Sequence, residues 1–129
     1  VSKVKGAGAA GGICGGLYSV FGGKIKSGFD ILSEYSNLKE KIANADIVIS
    51  GEGKTDEQTL MGKLPYKISE LCKKHGKKCV VISGSADDVK IDDLLLTLVD
   101  ENTTLEEALT HPAEVLAKKV ENNLEIILK

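Results

Sequence analysis

The chain contains no arginine, because all 17 of its basic residues are lysine. Any anion it binds must be held by lysine point charges, backbone N–H groups or helix N-termini, without a bidentate guanidinium fork or an arginine finger. Tryptophan is absent as well, and there are only two Phe and three Tyr, so Ile, Leu, Val and Ala must build the core. No excess of one charge invites nucleic acid or an anionic membrane as a partner: 19 acidic residues face the 17 lysines, for a net charge of −2. Cysteine is sparse and odd in number. Cys14, Cys72 and Cys79 form no Cys-x-x-Cys, and each sits in or beside an apolar run, which predicts buried free thiols in a reducing cytosol and no disulfide framework.

A membrane-spanning apolar run is also missing. The nearest approach is Val4 to Gly23, where Lys3 and Lys5 precede a long uncharged stretch with G-x-x-x-G spacings at Gly8/Gly12, Gly11/Gly15 and Gly12/Gly16. From Gly6 to Gly23 nearly half the residues are glycine. Glycine contributes little transfer energy and costs about 1 kcal/mol per residue in a helix, so this is neither a good signal peptide nor a good span.

What is present is a composition of 42% hydrophobic and 28% charged residues, which fits a single globular domain over residues 1–129 and argues against an intrinsically disordered chain. The run Asp46-Ile47-Val48-Ile49-Ser50 is short and β-branched and ends at Gly51, which predicts a buried strand and then a loop. Leu64 to His75 predicts a helix, with Pro65 in its first turn, Ile68, Leu71 and Cys72 on one face and Gly76 at the stop. Cys79-Val80-Val81-Ile82-Ser83, ending at Gly84, repeats the strand pattern, so the three elements form a βαβ unit with parallel strands. Asp92 to Leu96 is compatible with a helix, and Thr97-Leu98-Val99 with a third strand. Thr104-Leu105-Glu106-Glu107 has the form of a capping box, starting a short helix that stops before Pro112. Val115, Leu116, Val120, Leu124, Ile127 and Leu128 then mark one last helix with a core-packing stripe. Ala7 to Phe21 reads as a helix in spite of its glycines. The sum is α/β, a small parallel sheet flanked by helices.

Ligands of open parallel sheets bind at the carboxyl ends of the strands, where Gly51 to Lys63 and Gly84 to Asp88 are the expected loops. Gly6-Ala7-Gly8-Ala9-Ala10-Gly11 satisfies G-x-G-x-x-G, but Ser2 to Lys5 is a poor strand and no acid-ended second strand follows, so a dinucleotide fingerprint is not met. Its glycines still allow backbone N–H groups close to an anion, or close packing of a small-residue helix. Gly53-Lys54-Thr55 resembles the end of a Walker A loop, yet the first glycine of that motif would fall at Val48. The loop that remains carries two acids, Glu52 and Asp56, two neutral hydrogen-bonding groups, Gln58 and Thr59, and Lys63 beside a helix start. Such a set can hold the oxygens of a hydroxy acid, accept a hydroxyl proton or share Mg²⁺ with phosphates; a solvated polar loop is the alternative.

Taken in order, Gly6-Ala7-Gly8-Ala9-Ala10-Gly11-Gly12, Gly28-Phe29-Asp30, Asp46 to Gly53, Asp56-Glu57-Gln58-Thr59, Gly62-Lys63-Leu64-Pro65, and Val99-Asp100 followed by Thr104 to Leu109 resemble successive motifs of the bacterial glycerate kinase family. The resemblance implies phosphoryl transfer from ATP, with Mg²⁺, to a hydroxyl of D-glycerate by a cytoplasmic enzyme. It also implies a Rossmann- or flavodoxin-like part of a two-domain kinase, of which this chain is the carboxy-terminal portion. Carried over position by position, Asp56 is the acid nearest the reacting hydroxyl, Glu52 a second metal or substrate contact, and Glu52 with Asp56 the expected Mg²⁺ ligands. Lys63, the backbone of Gly6, Gly8, Gly11, Gly51 and Gly53, and Gln58 and Thr59 are the expected contacts for carboxylate or phosphate. The stretch after Gly84-Ser85 departs from the family by being short and acidic. With the amino-terminal part and second domain outside this chain, the 129 residues alone are expected to be inactive, and an open sheet edge favours a homodimer. A non-catalytic small-molecule-binding or assembly module is the alternative.

Overall fold

The computed structural model describes residues 3–57, 63–88 and 93–129, and the chain divides into two compact units, Val1–Leu38 and Lys39–Lys129. In the first, a 3₁₀ turn (Ala9–Gly12) runs into helix α1 (Ile13–Phe21), and helix α2 (Gly28–Tyr35) follows. The expected helix from Ala7 therefore starts only at Ile13. Ala10, Gly11 and Gly12 have φ of 52°, 66° and 93°, and left-handed residues cannot begin a right-handed helix. Helix α2 is capped by Ser27, whose hydroxyl accepts from the Asp30 N–H at 3.1 Å.

Helix α3 (Leu38–Asn44) comes next in the chain. The second unit is organised on three strands, β1 (Ile47–Thr55), β2 (Lys78–Ala86) and β3 (Leu94–Thr97), parallel and adjacent in that order. Helix α4 (Leu64–Lys74) lies between β1 and β2 in the sequence and packs on both, as the βαβ reading requires. Helices α5 (Leu105–Thr110), α6 (Pro112–Asn122) and α7 (Leu124–Leu128) complete the unit.

Strand β2 is buried on both faces, which is why Cys79 to Ile82 reads as an unbroken apolar run. Side chains alternate along a strand. Val80 clusters with Leu96 and Ile127, and Ile47, Ile82, Leu94 and Val120 pack around them, so this face lies under the carboxy-terminal helices. The opposite parity brings Cys79 of β2 to Cys72 of α4, and the two thiols share a hydrogen bond. Burial pushes the Cys79 thiol up to about 12 and raises Cys72 as well. All three cysteines are free; Cys72 and Cys79 are buried as expected, whereas Cys14 is only half-buried.

Three further expectations are corrected. Strands β1 and β2 do not stop at Ser50 and Ser83 but run on to Thr55 and Ala86, so Gly51, Glu52 and Gly53 are strand residues and not loop residues. The glycines allow this continuation because a Cβ on Gly84 would lie 2.5 Å from the Gly53 carbonyl oxygen, a close backbone approach of the kind glycine marks in sheets. The third strand is Leu94–Thr97, in register with Val80 to Ser83, and not Thr97 to Val99, because Leu94 to Leu96 find the apolar surface of β2. The final stripe is divided between α6 and α7 at Asn123 (φ −118°), whose side-chain amide donates to the Lys119 carbonyl at 2.8 Å. The capping box is formed as expected: Thr104 Oγ1 accepts from Glu107 N–H, and the Glu107 carboxylate accepts from Thr104 N–H at 2.9 Å.

Gly84→Ala is expected to destabilise the protein by about 1–3 kcal/mol, because the added methyl meets backbone that cannot swing away. Gly53→Ala, whose Cβ would meet nothing within 4 Å, should change stability by less than about 1 kcal/mol; denaturant titration of both variants checks the contrast. Hydrogen bonding from Lys119 holds Asp100, and from Thr104 holds Glu107, below their ordinary values of 3.8 and 4.5. Depressed carboxylates stabilise the fold above those values and lose that contribution as pH falls through the lower folded ones. Denaturation midpoints should thus fall on acidification below about pH 4, and Thr104→Ala should shrink the drop.

Candidate functional site

Three charged side chains meet where β1 ends and α4 begins. Glu52 belongs to β1 and faces the same side as Ser50, the side on which α4 packs. Asp56 follows the last strand residue, Thr55. Lys63 is the N-cap residue of α4, extended at φ −63° and ψ 168°, and Pro65 in the first turn suits a helix start because its missing N–H has no intrahelical partner there. The Lys63 ammonium donates to Asp56 Oδ1 at 3.2 Å and lies 3.5 Å from Glu52 Oε1.

The two carboxylates are the more sheltered partners, with 17% and 25% of the Glu52 and Asp56 side chains exposed against 36% for Lys63. The hydrogen bond to Asp56 raises Lys63 above its ordinary 10.5, partial desolvation opposing it and both carboxylates reinforcing it. The ammonium is therefore charged throughout the neutral range. Counted formally, the group carries two negative charges and one positive. At this exposure solvent screens both ion pairs, so they add little to folding. It can present a carboxylate oxygen to a hydroxyl proton and a cation to a phosphate or carboxylate.

The sequence-derived set is thus partly assembled. Glu52, Asp56 and Lys63 come together at the strand end. Gly51 and Gly53 flank Glu52 on β1. Gln58 and Thr59 lie outside the described residues. Gly6, Gly8 and Gly11 belong to the first unit, where Gly6, Ala7, Gly8, Gly12, Gly15 and Gly16 contribute to a hollow of about 420 Å³ walled largely by backbone; Gly11 is not part of that wall. Among the described residues no group of three or more His, Cys, Asp or Glu side chains is arranged to hold a metal. Two carboxylates still fit Mg²⁺, which keeps several waters and is commonly bound through one or two carboxylates together with substrate phosphates. No helix among the described residues is long and apolar enough to cross a membrane.

A cleft of about 520 Å³ beyond β3 is not where these groups converge. Of its charged walls, Asp100 is paired with Lys119 and Glu107 closes the capping box. The residues that sequence reasoning missed lie at the same, carboxyl, end of the sheet. Lys54 pairs with Asp87 at 2.9 Å, and the Asp87 N–H donates to the Thr55 carbonyl at 2.9 Å. Their opposite charges were the available signal, but the extension of both strands that brings Lys54 within reach of Asp87 was not.

Comparison with known proteins bears on the same residues. The family model described as the glycerate kinase family matches residues 1–128. A glycerate kinase of Bacillus cereus is 36% identical over 135 aligned positions, which cover 100% of this chain and 33% of the relative. The glycerate 2-kinase of Escherichia coli is 38% identical over 114, covering 84% of this chain and 30% of the relative. A solved glycerate kinase 2 structure from Salmonella typhimurium LT2 superposes with a TM-score of 0.63 at 31% identity, covering 94% of this chain and 33% of that one. The chain spans about a third of the length of these relatives.

Proposed function

The chain belongs to the glycerate kinase family, and we propose that it supplies one side of a site transferring the γ-phosphoryl group of ATP to a hydroxyl of D-glycerate. The observation that carries this reading is the Lys63 ammonium set between Asp56 and Glu52 at the carboxyl end of β1, the end of a parallel sheet at which ligands bind. Asp56 accepts the proton of the attacking hydroxyl as its oxygen bonds to the γ-phosphorus and the bond from phosphorus to the ADP oxygen breaks. An incoming phosphate or carboxylate competes with Asp56 for the Lys63 ammonium, which both neutralises the anion and frees a carboxylate oxygen for the proton. Mg²⁺, when bound, is held by Glu52 and Asp56 and neutralises charge on the phosphate oxygens.

In the same reading, backbone N–H groups of Gly51 and Gly53, with Gln58 and Thr59, contact substrate carboxylate or phosphate, and within the first unit, taken by itself, those of Gly6, Gly8 and Gly11 are candidates to meet an anionic group. Because no arginine is available, the remaining charge of the transition state must be met by parts of a longer protein. Cys72 and Cys79 share a hydrogen bond and are both free, which supports a reducing, cytoplasmic setting.

In the full-length enzyme, Asp56→Asn should lower turnover by about a hundredfold or more with the denaturation midpoint little changed, read by ADP release with D-glycerate, ATP and Mg²⁺. Unchanged turnover removes Asp56 from the mechanism. The 129 residues assayed alone should give no measurable turnover, against about 1–100 per second for an ordinary kinase. If the full-length protein is itself silent in this assay but binds glycerate, the non-catalytic binding module is the correct reading.

A further inference from the structure

The short acidic stretch after β2 has no role in the site as described so far, yet it is tied to it at two points. Thr55 pairs with Ala86 in the last rung of the β1–β2 ladder. Beyond that rung, Asp87 donates its N–H to the Thr55 carbonyl at 2.9 Å, and its carboxylate meets the Lys54 ammonium at 2.9 Å. One residue thus grips two consecutive residues of β1, and the next residue in the chain is Asp56.

Lys63 is fixed from the other direction, as the N-cap of α4. The 3.2 Å contact between Asp56 and Lys63 therefore depends on where β1 ends relative to where α4 begins. Both side chains of the Lys54–Asp87 pair are 55% exposed, so the pair contributes little to folding, and its consequence is to be sought in geometry.

We propose that Asp87 is a positioning residue that, through its main-chain bond to Thr55 and its carboxylate on Lys54, sets where Asp56 meets Lys63 and Glu52. This rests on the assignment of Asp56 and Glu52 as the site carboxylates. Charge alone and positioning predict opposite things for Lys54. Removing a nearby lysine should tighten binding of a cation by simple Coulomb effects, and removing a nearby aspartate should weaken it. If the pair positions Asp56, losing either member weakens cation binding.

The test is Mn²⁺ titration by calorimetry on the 129-residue protein, comparing wild type, Lys54→Gln, Asp87→Asn, the double variant and Asp56→Asn, alongside amide hydrogen exchange by NMR. Lys54→Gln and Asp87→Asn should each weaken Mn²⁺ binding by about tenfold, the usual lower bound for residues that orient metal ligands, and the double variant should be no worse than the weaker single one. The Asp87 amide should exchange faster in Lys54→Gln while the Val80 and Val81 amides keep their protection. Mn²⁺ binding that is tightened or unchanged in Lys54→Gln overturns the proposal. Should Asp56→Asn leave Mn²⁺ binding intact, the cation assignment of the preceding section falls instead, and exchange decides the remainder: an Asp87 amide equally protected in Lys54→Gln overturns the clamp.

Discussion

The parallel ladder between β1 and β2, which holds Ile47 against Lys78 at one end and Thr55 against Ala86 at the other, is the constraint on which the second unit depends. It fixes the direction in which both post-strand segments leave the sheet, and it carries β1 five residues past Ser50 to bring Glu52 and Asp56 over the start of α4. The ladder exists at this length because of composition on both sides of it. Cys79, Val80 and Val81 are almost wholly buried, so the central strand gains hydrophobic free energy on both faces. The absence of a side chain at Gly84 lets its neighbour's carbonyl approach at a distance no Cβ would tolerate.

The site inherits its electrostatics from that geometry. A lysine at a helix start would ordinarily be a weak choice, since the N-terminal end of a helix carries partial positive charge. Two carboxylates delivered by β1 and its extension more than offset this, and Lys63 is held above its ordinary pKa. An arginine in the same place would lock a carboxylate in a bidentate fork, whereas a lysine ammonium can exchange partners without breaking a planar pairing. In a chain without arginine, the proposed phosphate contact falls to a lysine ammonium, and the βαβ connection places it beside two carboxylates with residues only 11 positions apart at most, Glu52 to Lys63.

Much of this arrangement was legible in the sequence. The apolar β-branched runs at Ile47 and Val80, Pro65 and Gly76 at either end of α4, and the Thr104/Glu107 capping box are local signals with local causes, and each corresponds to an observed element. The candidate acids and Lys63 were legible because they cluster between a strand and a helix start, and the structure brings them within hydrogen-bonding reach. What failed was inference from glycine. At Gly51 and Gly84 glycine reads as a stop signal, but glycine inside a sheet also serves close approach between strands, and only the partner strand decides between the two uses. At Ala10 the reverse holds: an alanine, the best helix former, takes a left-handed conformation beside the left-handed Gly11.

Register was the feature least accessible to sequence. The two strands carry the same words, Val48-Ile49-Ser50-Gly51 and Val81-Ile82-Ser83-Gly84, and matching them would set Gly51 beside Gly84. The ladder instead sets Ser50 against Val81 and Gly51 against Ile82, a slip of two residues from the motif alignment. A slip of two preserves which face each side chain occupies, since the side-chain period is also two, so the apolar pattern is equally satisfied by either alignment and cannot choose. The choice falls to the contacts at the strand ends, where Lys54 lies across from Ser85 and reaches Asp87. With Gly51 beside Gly84, Lys54 would lie directly across from Asp87, so the charged pair is compatible with either alignment, but Thr55 would face Asp88 and could not accept the Asp87 N–H. The main-chain bond from Asp87 to Thr55, and not the charged pair, is thus a contact that belongs to the observed register and is lost in the motif-matched alternative.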